Sequence, residues 1–382
     1  MKPFFRVVLH FFREADIYLL VLSILGSVYG IVMVSSVGRN LSSNLLAVQI
    51  GATVIGLALF VLFSYIDIDI IADKPRILFI FSVILISTLF LFGVGEQEVG
   101  SRGWIRFWSI GIQPAEIVKV PFIIIIARMI SISKERRTLN NVSSLAQIMI
   151  VALILLVLIV VSSDDVGSAL VYVVILLTML FVGDVKLRWF LLGGGILAAL
   201  TPLIWFNFLQ KYQRDRILAP FTPETVDPGR QGVLWQPDLS VKAIASGGFT
   251  GQGLSKGRIT QASVIWGQHT DFMFSAVGEE LGFVGCLLVM LLLVLIIIRC
   301  IYVGVKSNNP LGLLVCSGIA AMLIAQTVEN IGMCLGVLPV IGITLPFLSY
   351  GGSSIVTCLA AMGIVSGIKM RPKPVRFRTT WN

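Results

Sequence analysis

In the stretch Ile265 to Phe283, IWGQHTDFMFSAVGEELGF, one of the chain's two histidines, His269, stands beside Asp271, and two adjacent glutamates, Glu279 and Glu280, interrupt an apolar run. Asp271 and Glu279 are about two helical turns apart, so both can look along one face of a helix. Three carboxylates over three turns of an otherwise apolar helix cost several kcal/mol unless they face water, a cation or a substrate. His269, Thr270 and Asp271 also fit a helix cap, with the acidic residue favoured by the helix dipole. That reading accounts for one carboxylate and leaves the two glutamates unexplained.

Five further groupings carry chemistry or mimic it. Glu116 and Lys119 in QPAEIVKVPF are three apart at the start of an apolar run, hence on one helical face. They form either a structural ion pair or the lining of a pocket near one membrane surface, where intramembrane charges usually face a cavity. Just before them Arg102, Trp104, Arg106 and Trp108 alternate charge with indole. The tryptophans fit an interfacial aromatic belt, and the two arginines would also suit a phosphate. Asp164 and Asp165 in SSDDVGSALV separate two apolar runs with almost no loop, which makes Asp165 an N-cap that can also face a site. ASGGFTGQGLSKG is glycine-rich but lacks the ending of a nucleotide-binding loop, and SISK at Ser131 to Lys134 matches an acylating-serine pattern by chance, without its partner motifs.

The elements that must position these residues follow from composition. Of 382 residues 57% are hydrophobic and 13% charged, more apolar surface than a soluble core of this length hides. An all-α integral membrane protein is expected, a single polytopic domain over residues 1–382. Apolar windows near 17–36, 44–66, 76–94, 114–132, 144–162, 167–183, 189–208, 272–298, 310–335 and 350–368 make about ten transmembrane helices. The basic clusters Lys2, Arg6 and Arg13; Lys74 and Arg76; Lys134, Arg136 and Arg137; Lys186 and Arg188; Arg299 and Lys306; and Lys369, Arg371, Lys373, Arg376 and Arg378 fall on one face, which is therefore cytoplasmic and holds both termini. Residues 1–16 read as an interfacial helix rather than a cleaved signal, 210–268 as a large extracellular loop between spans 7 and 8, and 369–382 as a basic cytoplasmic tail. The net charge of +9 fits cytoplasmic anchors and anionic lipid better than nucleic acid. Five scattered cysteines show neither disulfide nor zinc spacing.

Taken together, HTDFMFSAVGEELGF, GSRGWIRFWSIGIQPAEIVK, SSDDVGSALV, SGGFTGQGL and NIGMCLGVLPVIGITLPFLSYGGSS resemble, in order and over essentially the whole chain, the SEDS proteins, the group of RodA, FtsW and SpoVE. The resemblance implies a ten-span bacterial plasma-membrane glycosyltransferase that polymerises lipid II outside the cell beside a class B penicillin-binding transpeptidase. It also implies that Asp271 is the essential aspartate. Growth of the glycan needs a base for the attacking sugar hydroxyl and positive charge for the lipid pyrophosphate that leaves. A carboxylate at a low-dielectric lip has the raised pKa of a general base, which makes Asp271 the catalytic candidate. The candidate substrate-binding residues are Arg102, Arg106, Glu116, Lys119, Asp165 and Lys256, together with His269, Glu279, Glu280, Ser349, Gly351 and Gly352. Arg258 is a further basic residue on the same side, and a divalent cation, Mg²⁺ or Mn²⁺, is an alternative way to meet the pyrophosphate.

This chain departs from the family where Leu-Pro-Glu usually precedes the His-Thr-Asp-Phe: it carries Ile265, Trp266 and Gly267. It also places Glu329 within a span. Two other functions stay open at this level. A lipid II flippase would line a midplane path with charge and carry inverted repeats, and a non-catalytic activator of the transpeptidase would not polymerise at all.

Overall fold

The computed structural model describes residues 11–40, 44–95, 102–107, 110–207 and 209–371. Lys2, Arg6, Trp108, Lys373, Arg376 and Arg378, with most of the interfacial segment and of the basic tail, lie outside the described residues. Ten long helices carry the fold: α1 (Ile17–Val37), α2 (Asn44–Tyr65), α3 (Pro75–Ser87, prolonged by Leu89–Phe92), α4 (Pro114–Glu135), α5 (Val142–Ser163), α6 (Val166–Val182), α7 (Leu187–Asn207), α9 (Met273–Lys306), α10 (Pro310–Cys334) and α11 (Gly352–Met370). A short helix, α8 (Trp235–Gly247), precedes α9, and an antiparallel hairpin of β1 (Ile105–Phe107) and β2 (Ile110–Ile112) precedes α4. Eight of the ten are long and apolar enough to cross a membrane. The other two are α6, apolar but of 17 residues, and α4, which carries Glu116, Lys119 and Arg128. The chain is a membrane protein of about ten spans, as the apolar windows predict.

Local chemistry starts and stops these helices. Asp16 accepts a hydrogen bond from the Leu19 N–H to open α1, Asp165 does the same for Ser168 in α6, and Asn309 with Pro310 at the first turn opens α10. The centre of the bundle is α10 and α11, 78% and 83% buried over their apolar windows, whereas no residue of α7 is buried. α11 packs chiefly on α2, and α10 on α9, α6 and α4. At one end, ion pairs join Asp16 to Arg299, Arg128 to Asp73 and Lys134 to Asp184, and the Arg371 guanidinium donates to the carbonyls of Ser64, Tyr65 and Ile66 at the end of α2. This is the end that gathers the basic clusters. The opposite end holds the hairpin, the α5–α6 junction, the segment around α8 and residues 335–351.

One feature has no trace in the hydropathy. The 34-residue α9 is broken at Gly282, where φ is 67° and ψ is −162°, so an outer half-helix of residues 273–281 meets the membrane-length remainder at a corner. The glycine-rich loop after α8 satisfies the backbone groups freed there. Gln252 N donates to Glu279 O and Gly253 N to Glu280 O, both at 2.9 Å, while Phe283 N and Val284 N donate to Gly248 O and Phe249 O at 2.9 and 3.2 Å. Glycine is needed on both sides of this contact. A Cβ on Gly282 would lie 2.3 Å from Gly251 N, and one on Gly251 2.2 Å from Glu280 O. Gly282→Ala is therefore expected to lower stability by at least about 1–3 kcal/mol, the cost of a non-glycine residue in that backbone region. Gly194→Ala, in open space on α7, should leave it unchanged or raise it by up to about 1 kcal/mol. Thermal unfolding of the two purified variants provides the comparison.

Candidate active site

Asp271 sits in a tight turn just before α9. The Gly267 carbonyl receives the N–H groups of Thr270, Asp271 and Phe272 at 3.0, 2.8 and 3.1 Å. Such a turn needs a left-handed residue, and Gly267 supplies it with φ of 66°. The Asp271 carboxylate lies between two glycines: a Cβ on Gly342 would stand 3.5 Å from Oδ2 and one on Gly267 3.7 Å from it. The slot leaves the residue half-buried. Burial pushes its carboxyl up to about 6, the negative charge of Asp165 acts in the same direction, and a hydrogen bond with Thr270 opposes both.

Asp165 comes from the α5–α6 junction. Asp164 ends α5 in the left-handed conformation, φ 54°, and Asp165 immediately caps α6, accepting from Ser168 N at 2.8 Å and from Ser168 Oγ at 2.6 Å. The cap therefore also faces the site. Its carboxyl is raised by burial and by Glu116, against the Ser168 hydrogen bonds and the charge of Lys119. Gln113, just before α4, donates its side-chain N–H to Asp165 Oδ2 at 3.3 Å and its backbone N–H to Ser353 Oγ at 2.9 Å. One turn further along α4, Glu116 and Lys119 form a direct ion pair, and both are buried. They stand behind Asp165 rather than at a surface.

The hairpin leads into the same region. Arg102 N donates to Ser163 O at 3.0 Å, which ties the hairpin to the end of α5. Arg102 and Arg106 are exposed, and Arg106 lies close enough to Tyr350 to oppose the upward push that burial gives that phenol. Tyr350 in turn donates its backbone N–H to His269 O at 2.8 Å, and its ring meets the His269 ring at 5.5 Å between centroids. Burial lowers the His269 pKa, so the imidazole is neutral at pH 7. Ser349 is buried and turned inward, accepting from Leu345 N at 2.9 Å, while Gln49 of α2 donates to Ser349 O and accepts from Gly351 N. Gly352 opens α11 beside them.

Glu279, Glu280 and Lys256 are found elsewhere, at the far end of the outer half-helix, about 12 Å of helical rise from Asp271. Glu279 accepts from Ile259 N, Thr260 N and Thr260 Oγ1 at 2.8, 2.8 and 2.6 Å, and so caps the short helix Arg258–Gln261. Glu280 accepts from Ser36 Oγ at 2.5 Å and Gln261 Nε2 at 2.9 Å. Both glutamates are fully buried, and these bonds fasten the glycine-rich loop to the break in α9. Lys256 is exposed on that loop. Sequence reasoning did not single out Gln113, Asn330, Gly342 or Tyr350. All four lie inside quoted motifs, but their part depends on segments that meet only in the fold.

The sequence model of a family described as cell cycle protein, FtsW, RodA and SpoVE, matches residues 15–373. The chain belongs to this family. It is 30% identical over 327 residues to the peptidoglycan glycosyltransferase MrdB of Escherichia coli K12, covering 85% of each chain. With the probable peptidoglycan glycosyltransferase FtsW of Bacillus subtilis it shares 32% over 355 residues, 90% of this chain and 86% of the relative. Among solved structures, a chain of a peptidoglycan synthase complex, described for its coordination of polymerization and crosslinking, superposes with a TM-score of 0.78 at 28% identity, covering 96% of this chain and 99% of that one. The rod shape determining protein RodA of Thermus thermophilus superposes with a TM-score of 0.68 at 25% identity, over 94% of this chain and 98% of that one. Most of the FtsW, RodA and SpoVE motifs quoted from the sequence converge on the end of the bundle that holds Asp271.

No group of three or more His, Cys, Asp or Glu side chains able to hold a metal ion occurs among the described residues. The buried Glu116–Lys119 pair makes its own prediction. Breaking it from one side, by Glu116→Gln or Lys119→Met, leaves an uncompensated buried charge and should cost about 3–5 kcal/mol. The double variant is expected to recover much of that loss, as read by thermal unfolding in a double-mutant cycle.

Proposed function

We propose that the chain polymerises peptidoglycan glycan strands from lipid II, with Asp271 as the general base. The observation that carries this reading is a half-buried carboxylate, raised to about 6, in a slot at the same end of the bundle as two exposed hairpin arginines. At neutral pH such a carboxylate is ionised yet basic enough to take a proton from a sugar hydroxyl. The hydroxyl oxygen attacks the anomeric carbon, its proton passes to an Asp271 oxygen, and the bond to the lipid pyrophosphate breaks with its electron pair on the phosphate oxygen. Arg102 and Arg106 are the side chains to meet that charge, because a guanidinium matches phosphate oxygens two at a time. Lys119, held by Glu116 and buried, acts on the site through Asp165. Two carboxylates on one lip also suit Mg²⁺ or Mn²⁺, which such sites hold through one or two carboxylates plus substrate phosphates. Asp165 is the residue that would share such an ion with the pyrophosphate.

The site belongs to the outer face in this reading. The basic clusters at the opposite end make that end cytoplasmic by the positive-inside rule and carry both termini with it. A class B penicillin-binding transpeptidase is the partner that would cross-link the strand. A flippase fits less well. The described charges within spans lie within about two helical turns of a helix end or beside the Gly282 break, so no charged path crosses the midplane.

Asp271→Asn keeps size and capping ability and removes proton acceptance, so turnover of lipid II into glycan strands by purified, folded protein with its transpeptidase partner should fall about 10²- to 10⁴-fold. Since the base works deprotonated, wild-type turnover should rise with pH through about 6 and then level off. Near wild-type polymer from Asp271→Asn would remove Asp271 from the mechanism. For sidedness, all five native cysteines are buried. A cysteine at exposed Arg136 should resist a membrane-impermeant thiol reagent in intact cells, and one at exposed Thr225 should label. The reverse pattern would invert the topology.

A further inference from the structure

We propose that Asn330 of α10 is the positioning residue for Asp271, stapling together the two backbone segments that wall the carboxylate's slot. Its side-chain amide nitrogen donates to Asp271 O and to Ile343 O, both at 2.7 Å. Ile343 adjoins Gly342, one wall of the slot, and Asp271 belongs to the turn of Gly267, the other. One fully buried amide therefore spends both donors on holding the two walls at a fixed separation.

The helix that carries it is suited to the task. α10 is among the most buried elements of the bundle, whereas residues 267–272 and 335–351 are irregular backbone with no helix or sheet of their own to fix them. Tyr350 N donating to His269 O is a second, weaker link between the same two segments. Cys334, one turn beyond Asn330, donates its thiol to the same Asp271 O at 3.7 Å, a weak bond that reaches one wall and not the other. The titratable groups facing Asp271 are Asp165 from the start of α6 and Cys334 from α10, with His269 in its own turn. Asn330 contributes no charge, so its effect on the base comes through geometry and water exclusion alone.

This inference rests on Asp271 being the base, and the test separates the two. Purified protein with its transpeptidase partner is assayed on lipid II across pH. Asn330→Ala is expected to lower kcat about 10- to 100-fold, the effect of displacing a catalytic group by an ångström or so. KM should change by less than about 3-fold, because the staple does not touch substrate. The acid limb of kcat/KM should move to lower pH, since a loosened slot admits water and relieves the burial that raises Asp271. A purely structural role would reduce the folded fraction and leave the limb where it is. Wild-type kcat, or a reduced kcat with an unmoved acid limb, would overturn the proposal. Should the alanine variant fail to fold, Asn330→Ser, which keeps a single shorter donor, must show the same direction of shift, and a wild-type limb in it counts against the staple. If Asp271→Asn remains active in the same assay, the assignment of the base fails first. An inactive Asp271→Asn beside an unchanged Asn330→Ala refutes the staple alone.

Discussion

A helix broken inside a membrane domain frees backbone groups that lipid cannot satisfy, so irregular backbone survives there only where protein or water meets it. Gly282 imposes that condition on the whole end of this molecule that holds Asp271. The carbonyls of Glu279 and Glu280 and the N–H groups of Phe283 and Val284 are taken up by residues 248–253, which draws the chain after α8 back onto the break. The outer half-helix, the turn that carries Asp271 and the glycine-rich loop are thereby one unit. Two side-chain contacts pin it: Ser36 at the end of α1 holds Glu280, and Ser240 of α8 donates to Cys334 O at the end of α10 at 2.6 Å. Without the break, residues 273–306 would run as a single straight rod.

The same constraint sorts the carboxylates. Each buried acid must find hydrogen-bond donors or a counter-charge, and most here do so within the protein. Glu279 finds three donors of a short helix, Glu280 a serine and a glutamine, Glu116 a lysine, and Asp165 the first turn of α6. Asp271 has the Thr270 hydrogen bond on its side chain, while its backbone carbonyl receives Asn330. Two glycines, Gly267 and Gly342, flank its carboxylate oxygen Oδ2. Glu329 differs again: on the buried side of α10, its Oε1 has no hydrogen-bond partner among the described residues.

The spans were legible because a 30 Å hydrocarbon core imposes a length and a composition that no other fold requires. The predicted windows and the helices differ by three residues or fewer, as at α1, predicted over 17–36 and observed over Ile17–Val37, except at α9, predicted over 272–298 and observed over Met273–Lys306. The Gly282 break was not legible, since glycine inside an apolar run carries no hydropathy signal, and its partner loop lies about thirty residues upstream. Asp165 was readable as a cap that could also face a site, and the fold shows the cap and brings its charge close enough to act on Asp271. Glu279 and Glu280 illustrate the opposite case. Charge in an apolar run was read as facing water, a cation or a substrate, whereas the fold buries both side chains among protein donors, and sequence offers no means to tell a carboxylate that holds a loop from one that waits for a substrate.

Gly267 shows how a local departure changes the electrostatics around Asp271. The family pattern puts a glutamate in that part of the chain, and a side chain starting at Gly267 would begin 3.7 Å from Asp271 Oδ2 and 3.1 Å from Thr270 Oγ1. A carboxylate there would be a like charge beside Asp271, and like charges raise a pKa without any burial. This chain gives up that contribution, and the upward shift of Asp271 comes first from burial. Burial, unlike a fixed charge, depends on how closely the walls of the slot stand. In this molecule the basicity of Asp271 is thus tied to backbone geometry, to the left-handed turn at Gly267 and to the segment at Gly342. The elements that hold those two walls have more influence on the chemistry than they would where a second carboxylate set the pKa.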